Sequence, residues 1–189
     1  MEFRELLKTR RTIRLFKQQP VDDETLAALI DAARVASCGA NAQLLRYMVI
    51  RTPELAEKIF YNTAYAAKVQ PRRNPVWGVT APQTFIAVLA PEGKAEADAG
   101  AAVQSMEFAA YNSGLGSCWI GSFNRGAVQE LLTPPAGLQV RYLLAVGYPA
   151  EAHPVQEDIG LDGDPAYYLD EQDRLHVPKY TVDALTSWR

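Results

Sequence analysis

Three groups of donors stand out in this chain, and none is a conventional acid, base or nucleophile. The first is Arg10-Arg11-Thr12-Ile13-Arg14. In an extended backbone alternate side chains share a face, so Arg10, Thr12 and Arg14 would turn two guanidinium forks and a hydroxyl to one side. Such forks grip phosphate oxygens through strong, directional hydrogen bonds, which suggests capture of a small anion. A solvated basic turn would show the same spacing. The second group is Asn41 and Gln43, two apart beyond a loop. Amides both donate and accept, which suits a ligand edge or a polyol chain, although they serve equally to satisfy a loop's own backbone. The third is Trp119-Ile120-Gly121-Ser122, which ends an apolar run. Backbone N–H groups come free there and Gly121 permits close approach; an ordinary strand-to-loop transition reads alike. Cys118 reads as a core thiol, and Cys38 lies in a polar loop with no identifiable base.

Other chemistries find no support. Gly114-Leu115-Gly116 begins like a dinucleotide fingerprint, but Trp119 occupies the third glycine position and a helix, not a strand, precedes it. There is no GxxxxGK[ST] phosphate loop and no GxSxG elbow. His153 and His176 stand far apart, with no cysteine at zinc spacing.

The elements that must position these donors are readable. Phe3, Leu6 and Leu7 open a short helix, and residues 10–14 follow as an extended or turning segment. Asp22 caps the next helix, Val21 staples against Leu26, and Leu26, Leu29, Ile30 and Ala33 form its apolar stripe. Ser37 to Asn41 is a loop by composition. Tyr47 to Ile50 is a strand, and Thr52-Pro53 starts a helix. Val69 to Pro82 reads as a long loop and a candidate lid, whose Arg72, Arg73 and Trp77 could meet an anionic or planar substrate. Phe85 to Leu89 fits a strand buried on both faces. Ala95 to Ser113 is an Ala-rich helix buried nearly all round and closed by Gly114. Two more strands, Ser117 to Gly121 and Val140 to Gly147, flank a helix capped at Asn124. From Pro149 onward Asp, Gly and Pro abound with little periodicity, as in a tail that wraps over a partner.

The 189 residues suit a single α+β domain, 1–189, with 149–189 as a C-terminal extension. A hydrophobic fraction of 48% suffices for a core. The net charge of −3 offers no field for nucleic acid, yet Lys8, Arg10, Arg11 and Arg14 crowd the start, which favours a local anion site. Two distant cysteines suit a reducing cytoplasm, and no run approaches the ~20 apolar residues of a membrane span.

Taken in order, these segments resemble the nitroreductase family of FMN enzymes. Arg10 to Phe16 followed by Pro20-Val21 is similar to its RRSxRxF…PV opening, and Ala32-Ala33-Arg34 through Ser37 to Asn41-Ala42-Gln43 to its AAR…SxNxQ segment. Gly114 to Gly121 resembles its GLGSCWIG stretch, Ala145 to Pro149 its AxGYP strand, and Val177-Pro178-Lys179 its basic C-terminal segment. The resemblance implies a nitroreductase-like α/β sandwich forming an intertwined homodimer with C-terminal arm exchange and two FMN sites at the interface. By it Arg10, Arg11, Thr12, Arg14 and Lys179 would hold the phosphate, and Cys38, Asn41 and Gln43 would contact the ribityl chain and ring edge. Ile120 and Gly121 would bring a backbone N–H near flavin N5 from the other subunit. Leu44-Leu45 replace a frequent Pro-Trp, and Tyr180 replaces a second basic residue. The implied reaction is hydride transfer from NAD(P)H, through flavin, to a nitroaromatic, quinone or similar acceptor, without a catalytic side chain. Another FMN reaction, dehydrogenation of a bound metabolite or reductive dehalogenation, and non-catalytic flavin binding are the alternatives.

Overall fold

A computed structural model of the chain describes residues 2–65 and 74–189. The apolar run at 85–89 lies inside β2 (Thr84–Pro91), whose first seven residues are all buried. β1 (Arg46–Ile50), β3 (Gly116–Ile120) and β4 (Leu138–Gly147) join it in an antiparallel sheet of order β1-β2-β4-β3.

Side-chain alternation along β2 divides the core. Phe85, Ala87 and Leu89 pack with α3 (Pro53–Tyr61) and α5 (Arg125–Leu132). Ile86 and Val88 pack with α2 (Asp23–Arg34) and α4 (Glu96–Asn112). Both faces of the sheet thus carry helices, as in an α+β sandwich.

The start signals hold. Asp22 accepts the Thr25 N–H at 2.8 Å, and Asn124 accepts that of Ala127 at 3.2 Å. Val21 and Leu26 share one apolar cluster. Between Asp98 and Tyr111 no side chain of α4 is exposed, because small residues let its neighbours approach from every side. Gly114, with φ of 74°, turns the chain out of α4 and into β3.

After α1 (Phe3–Thr9) the chain runs extended along the outer edge of β3. The Ile13 N–H donates to the Ser117 carbonyl at 2.9 Å, and Lys17 N–H to that of Tyr148 at 2.8 Å. Ile13 and Phe16 are fully buried, and Arg14 and Leu15 between them are half-buried.

The tail differs from the irregular wrap that its composition suggests. β5 (Val155–Ile159), β6 (Tyr168–Leu169) and β7 (Leu175–Tyr180) form a second sheet of order β5-β7-β6, in which β5 and β7 are parallel. Val155-Gln156-Glu157-Asp158-Ile159 carries weak strand propensity, and its partner arrives only after a long crossover, so periodicity could not reveal the pair. Beyond it α6 (Val182–Leu185) exposes Val182 and Leu185, and Trp188 is 84% exposed. Of the candidate lid, Val69 to Arg73, with Arg72 and Arg73, lies outside the described residues. Trp77 is half-buried against Phe60, with ring centroids 5.6 Å apart, and serves the core. Among the described residues no helix is long and apolar enough to cross a membrane.

Candidate functional site

Arg10, Arg11, Thr12 and Arg14 line one cavity of about 200 Å³, and Lys179 reaches it from β7 with Tyr167, Leu175 and Val177. Segments more than 160 residues apart in sequence therefore line one cavity, and Arg11 does so together with Arg10, Thr12 and Arg14. Glu151 fixes the backbone, accepting the Arg14 N–H at 2.6 Å and the Leu15 N–H at 3.0 Å. The Arg14 guanidinium lies over the Tyr167 ring, 5.8 Å from its centroid. Arg11 is only 8% exposed, and burial followed by the adjacent Arg10 pushes its pKa below the usual arginine value. Among the described residues, the buried Nε atoms of Arg10 and Arg11 have no hydrogen-bond partner. Buried unpaired N–H groups are costly, so this donor set suits a compact, multiply charged acceptor such as a phosphate monoester.

A carboxylate stands behind the cavity. Glu107 of α4 lies 3.4 Å from Arg10 Nη1 and accepts the Ser117 hydroxyl at 3.3 Å. Burial raises its pKa; Arg10 and then Ser117 act against that rise. Neither Glu107, Glu151 nor Tyr167 was singled out from the sequence. Glu107 alone left a signal, because it falls on the apolar face marked by Val103, Met106 and Ala110.

The amide loop lies elsewhere. Cys38 and Gln43 line a different cavity, of about 280 Å³, between α2, α4 and β1, with Leu44, Leu45 and Tyr47 in its wall. Asn41 is not among its lining residues, but its Oδ1 is 4.0 Å from the Cys38 thiol. Ala40, Asn41 and Gln43 have φ of 51°, 50° and 48°. Such left-handed residues cost roughly 1–2 kcal/mol each where the side chain is not Gly, Asn or Asp. The surroundings hold this shape. Gly39 N–H donates to Asp98 of α4 at 3.0 Å, and Arg46 Nη1 donates to the Gln43 and Leu45 carbonyls at 2.9 and 2.7 Å. Strain maintained this way is characteristic of binding loops.

The amide loop leads into β1, whereas the cationic segment pairs with β3, the opposite edge of the sheet. Three strand spacings of roughly 4.8 Å separate those edges. Ile120 and Gly121 end β3 and so stand on the cationic segment's edge within one chain. Within one chain the 38–43 loop therefore stands apart from both of these segments. Cys118 is buried between the layers and its thiol is pushed up to about 12, so it stays a core thiol.

A second polar cluster braces Lys179. Leu175, Val177 and Lys179 of β7 line the cavity, and His176 points away from it. Its Nδ1 lies 2.5 Å from Glu157 and its Nε2 3.0 Å from Asp170, and its ring stacks on Tyr168 at 4.8 Å. Both ring nitrogens donate only in the imidazolium form. Asp170 chiefly, then Glu157, raises the His176 pKa against its desolvation. A group raised on folding stabilises below its unfolded pKa, and that contribution is lost as pH rises through the folded one. Raising the pH from about 6 through the raised folded value therefore takes His176 from paired toward neutral. Amide exchange at Val177, corrected for its intrinsic pH dependence, is expected to quicken across that range. His176→Gln should abolish the difference; equal protection of the wild type at both ends of that range would refute the brace.

A sheet with helices on both faces and a cationic cavity at one edge defines an α+β protein suited to holding an anion. A model of the nitroreductase family matches residues 7–85 and 80–148, and the chain belongs to that family, and so to the oxidoreductases. The chain is 27% identical over 184 residues to a Methanothermobacter thermautotrophicus protein named "Putative NADH dehydrogenase/NAD(P)H nitroreductase", covering 95% of this chain and 88% of the relative. It is 26% identical to the 5,6-dimethylbenzimidazole synthase of Rhodospirillum rubrum, over 80% of this chain and 84% of the relative. The structure of an FMN-dependent nitroreductase from Clostridium difficile R20291 shares the fold, with a TM-score of 0.65, 23% identity, and coverage of 78% of this chain and 87% of that one.

Proposed function

We propose that the chain is a cytoplasmic FMN-dependent NAD(P)H oxidoreductase acting on nitroaromatic, quinone or similar acceptors. The observation that carries this reading is the convergence of Arg10, Arg11, Thr12, Arg14 and Lys179 on one cavity whose buried guanidinium N–H groups lack partners. Bound flavin would supply the two-electron chemistry that no side chain here offers. Arg11 and Arg14 would bind its phosphate as paired forks, with Thr12 adding a hydroxyl and Lys179 a point charge. Cys38, Asn41 and Gln43 would meet the ribityl chain and ring edge, and the backbone at Ile120 and Gly121 would offer an N–H toward N5.

One chain keeps those two sets of groups at opposite sheet edges, so the complete site takes its 38–43 loop from a second copy. Val182, Leu185 and Trp188 supply apolar surface for such a homodimer, as arms exchanged between subunits. Donor and acceptor would use one pocket in turn, which gives ping-pong kinetics.

The test is a visible spectrum of the purified protein, repeated anaerobically after addition of NADPH and then NADH. A flavin spectrum bleached by either supports the reading, with parallel lines in double-reciprocal plots to follow. A colourless protein that cannot be reconstituted with FMN would overturn it. A flavin that neither donor bleaches would favour chemistry on a bound metabolite, the reading to which the similarity to the dimethylbenzimidazole synthase points.

A further inference from the structure

The buried carboxylate behind Arg10 has no part in the function proposed above. Glu107 is 3% exposed on the inward face of a helix built mostly of small apolar residues. The groups facing it are Arg10 from the extended segment and Ser117 from β3, with the neutral Cys118 thiol of that strand nearby. At 3.4 Å the contact with Arg10 is longer than the 2.7–2.9 Å of a full charge-assisted hydrogen bond. Glu107 therefore compensates the Arg10 charge without using up its donors, since Arg10 Nε and Nη1 remain without hydrogen-bond partners among the described residues.

We propose that Glu107 is a resident counter-charge of the cavity, holding Arg10 in place while the cavity is empty and weakening the grip on a phosphate dianion once it is filled. This rests on reading the cavity as the phosphate seat of FMN. Two effects compete when the carboxylate becomes an amide. Arg10 loses an ionic partner, but a glutamine oxygen can still accept from Ser117. The dianion loses a like charge one guanidinium away, and because Glu107 itself is buried that repulsion is screened less than between exposed charges. The second effect is the larger, so Glu107 acts as a positioning residue that sets how readily the cofactor exchanges.

The experiment titrates the flavin-free full-length protein with FMN and with riboflavin, which lacks the phosphate. Glu107→Gln is expected to lower the Kd for FMN about tenfold and leave that for riboflavin unchanged. General loosening of the fold would weaken both. The pair Arg10→Met and Arg10→Met with Glu107→Met supplies a second comparison, because replacing both buried charges by apolar groups preserves packing. There the double variant should bind FMN more tightly than Arg10→Met alone. Unchanged or weaker FMN binding in both comparisons, with the wild type still preferring FMN to riboflavin, overturns the inference alone. A wild type that binds riboflavin as tightly as FMN overturns the phosphate assignment and the inference with it.

Discussion

Gly116→Ala is expected to lower the melting temperature by about 5–10 °C and to strip the protein of its flavin. A Cβ at Gly116 would lie 2.7, 2.7 and 2.8 Å from Cβ, Cγ1 and Cγ2 of Ile13. Those are the branch-point atoms of a fully buried side chain, which cannot swing aside as the end of a long one could. Overpacking of this kind costs roughly 1–3 kcal/mol, and in a chain of this size each kcal/mol moves the melting temperature by about 2–4 °C. The damage also falls where it matters for binding. Ile13 N–H pairs with Ser117, so pushing Ile13 off β3 carries Thr12 and Arg14 with it. Thermal melts and flavin content of the purified variant check both effects; a variant that keeps the wild-type melting point and its flavin would show that the segment does not depend on this contact. The second glycine of GLGSCWIG is thus a steric requirement of a neighbouring strand and has no need of a nucleotide to explain it.

Arg14→Ala should weaken FMN binding by about 10- to 150-fold, which corresponds to roughly 1.5–3 kcal/mol for the loss of a charge-assisted contact. Its backbone is pinned through Glu151 and its side chain lies against Tyr167, at the surface of the tail sheet, so truncation removes donors without opening the core. Arg11 is a less clean probe, because its Nη1 donates to the Arg10 carbonyl at 2.5 Å and its loss would disturb the segment itself. Isothermal titration with FMN reads the change, and riboflavin affinity should hold steady. Equal FMN affinity in the variant and the wild type would remove Arg14 from the phosphate site.

The cationic segment was legible through the order of the motifs around it, since the alternation of Arg10, Thr12 and Arg14 alone fits a solvated basic turn equally well. The helices were legible from their ends: Asp22, Pro53, Asn124 and Gly114 each mark a boundary through a local hydrogen bond or dihedral requirement. Local chemistry could not show which residues meet across the chain. Glu151 reaches the Arg14 backbone over 137 positions, and Glu157 meets His176 over 19, with nothing local to announce either. The strain at Ala40 and Gln43 was hidden for a related reason, since neither residue type prefers a left-handed backbone and only the hold of Asp98 and Arg46 imposes it. Nor could spacing alone separate the two sheet edges, which depends on β3 and β1 ending up outermost.

Helix α4 touches both groups of candidate residues within one chain, which in the proposed dimer serve two different sites: Asp98 near its start grips Gly39, and Glu107 near its end lies against Arg10. Nine residues of rigid helix separate them, roughly 13 Å at 1.5 Å per residue. The helix is therefore a gauge bar whose length sets the interval between the phosphate seat and the strained loop. Removing one residue between positions 98 and 107 would shorten the bar by only about 1.5 Å but turn one end against the other by about 100°. Such a deletion would unseat one grip or the other, so this stretch should tolerate changes of side chain far better than changes of length.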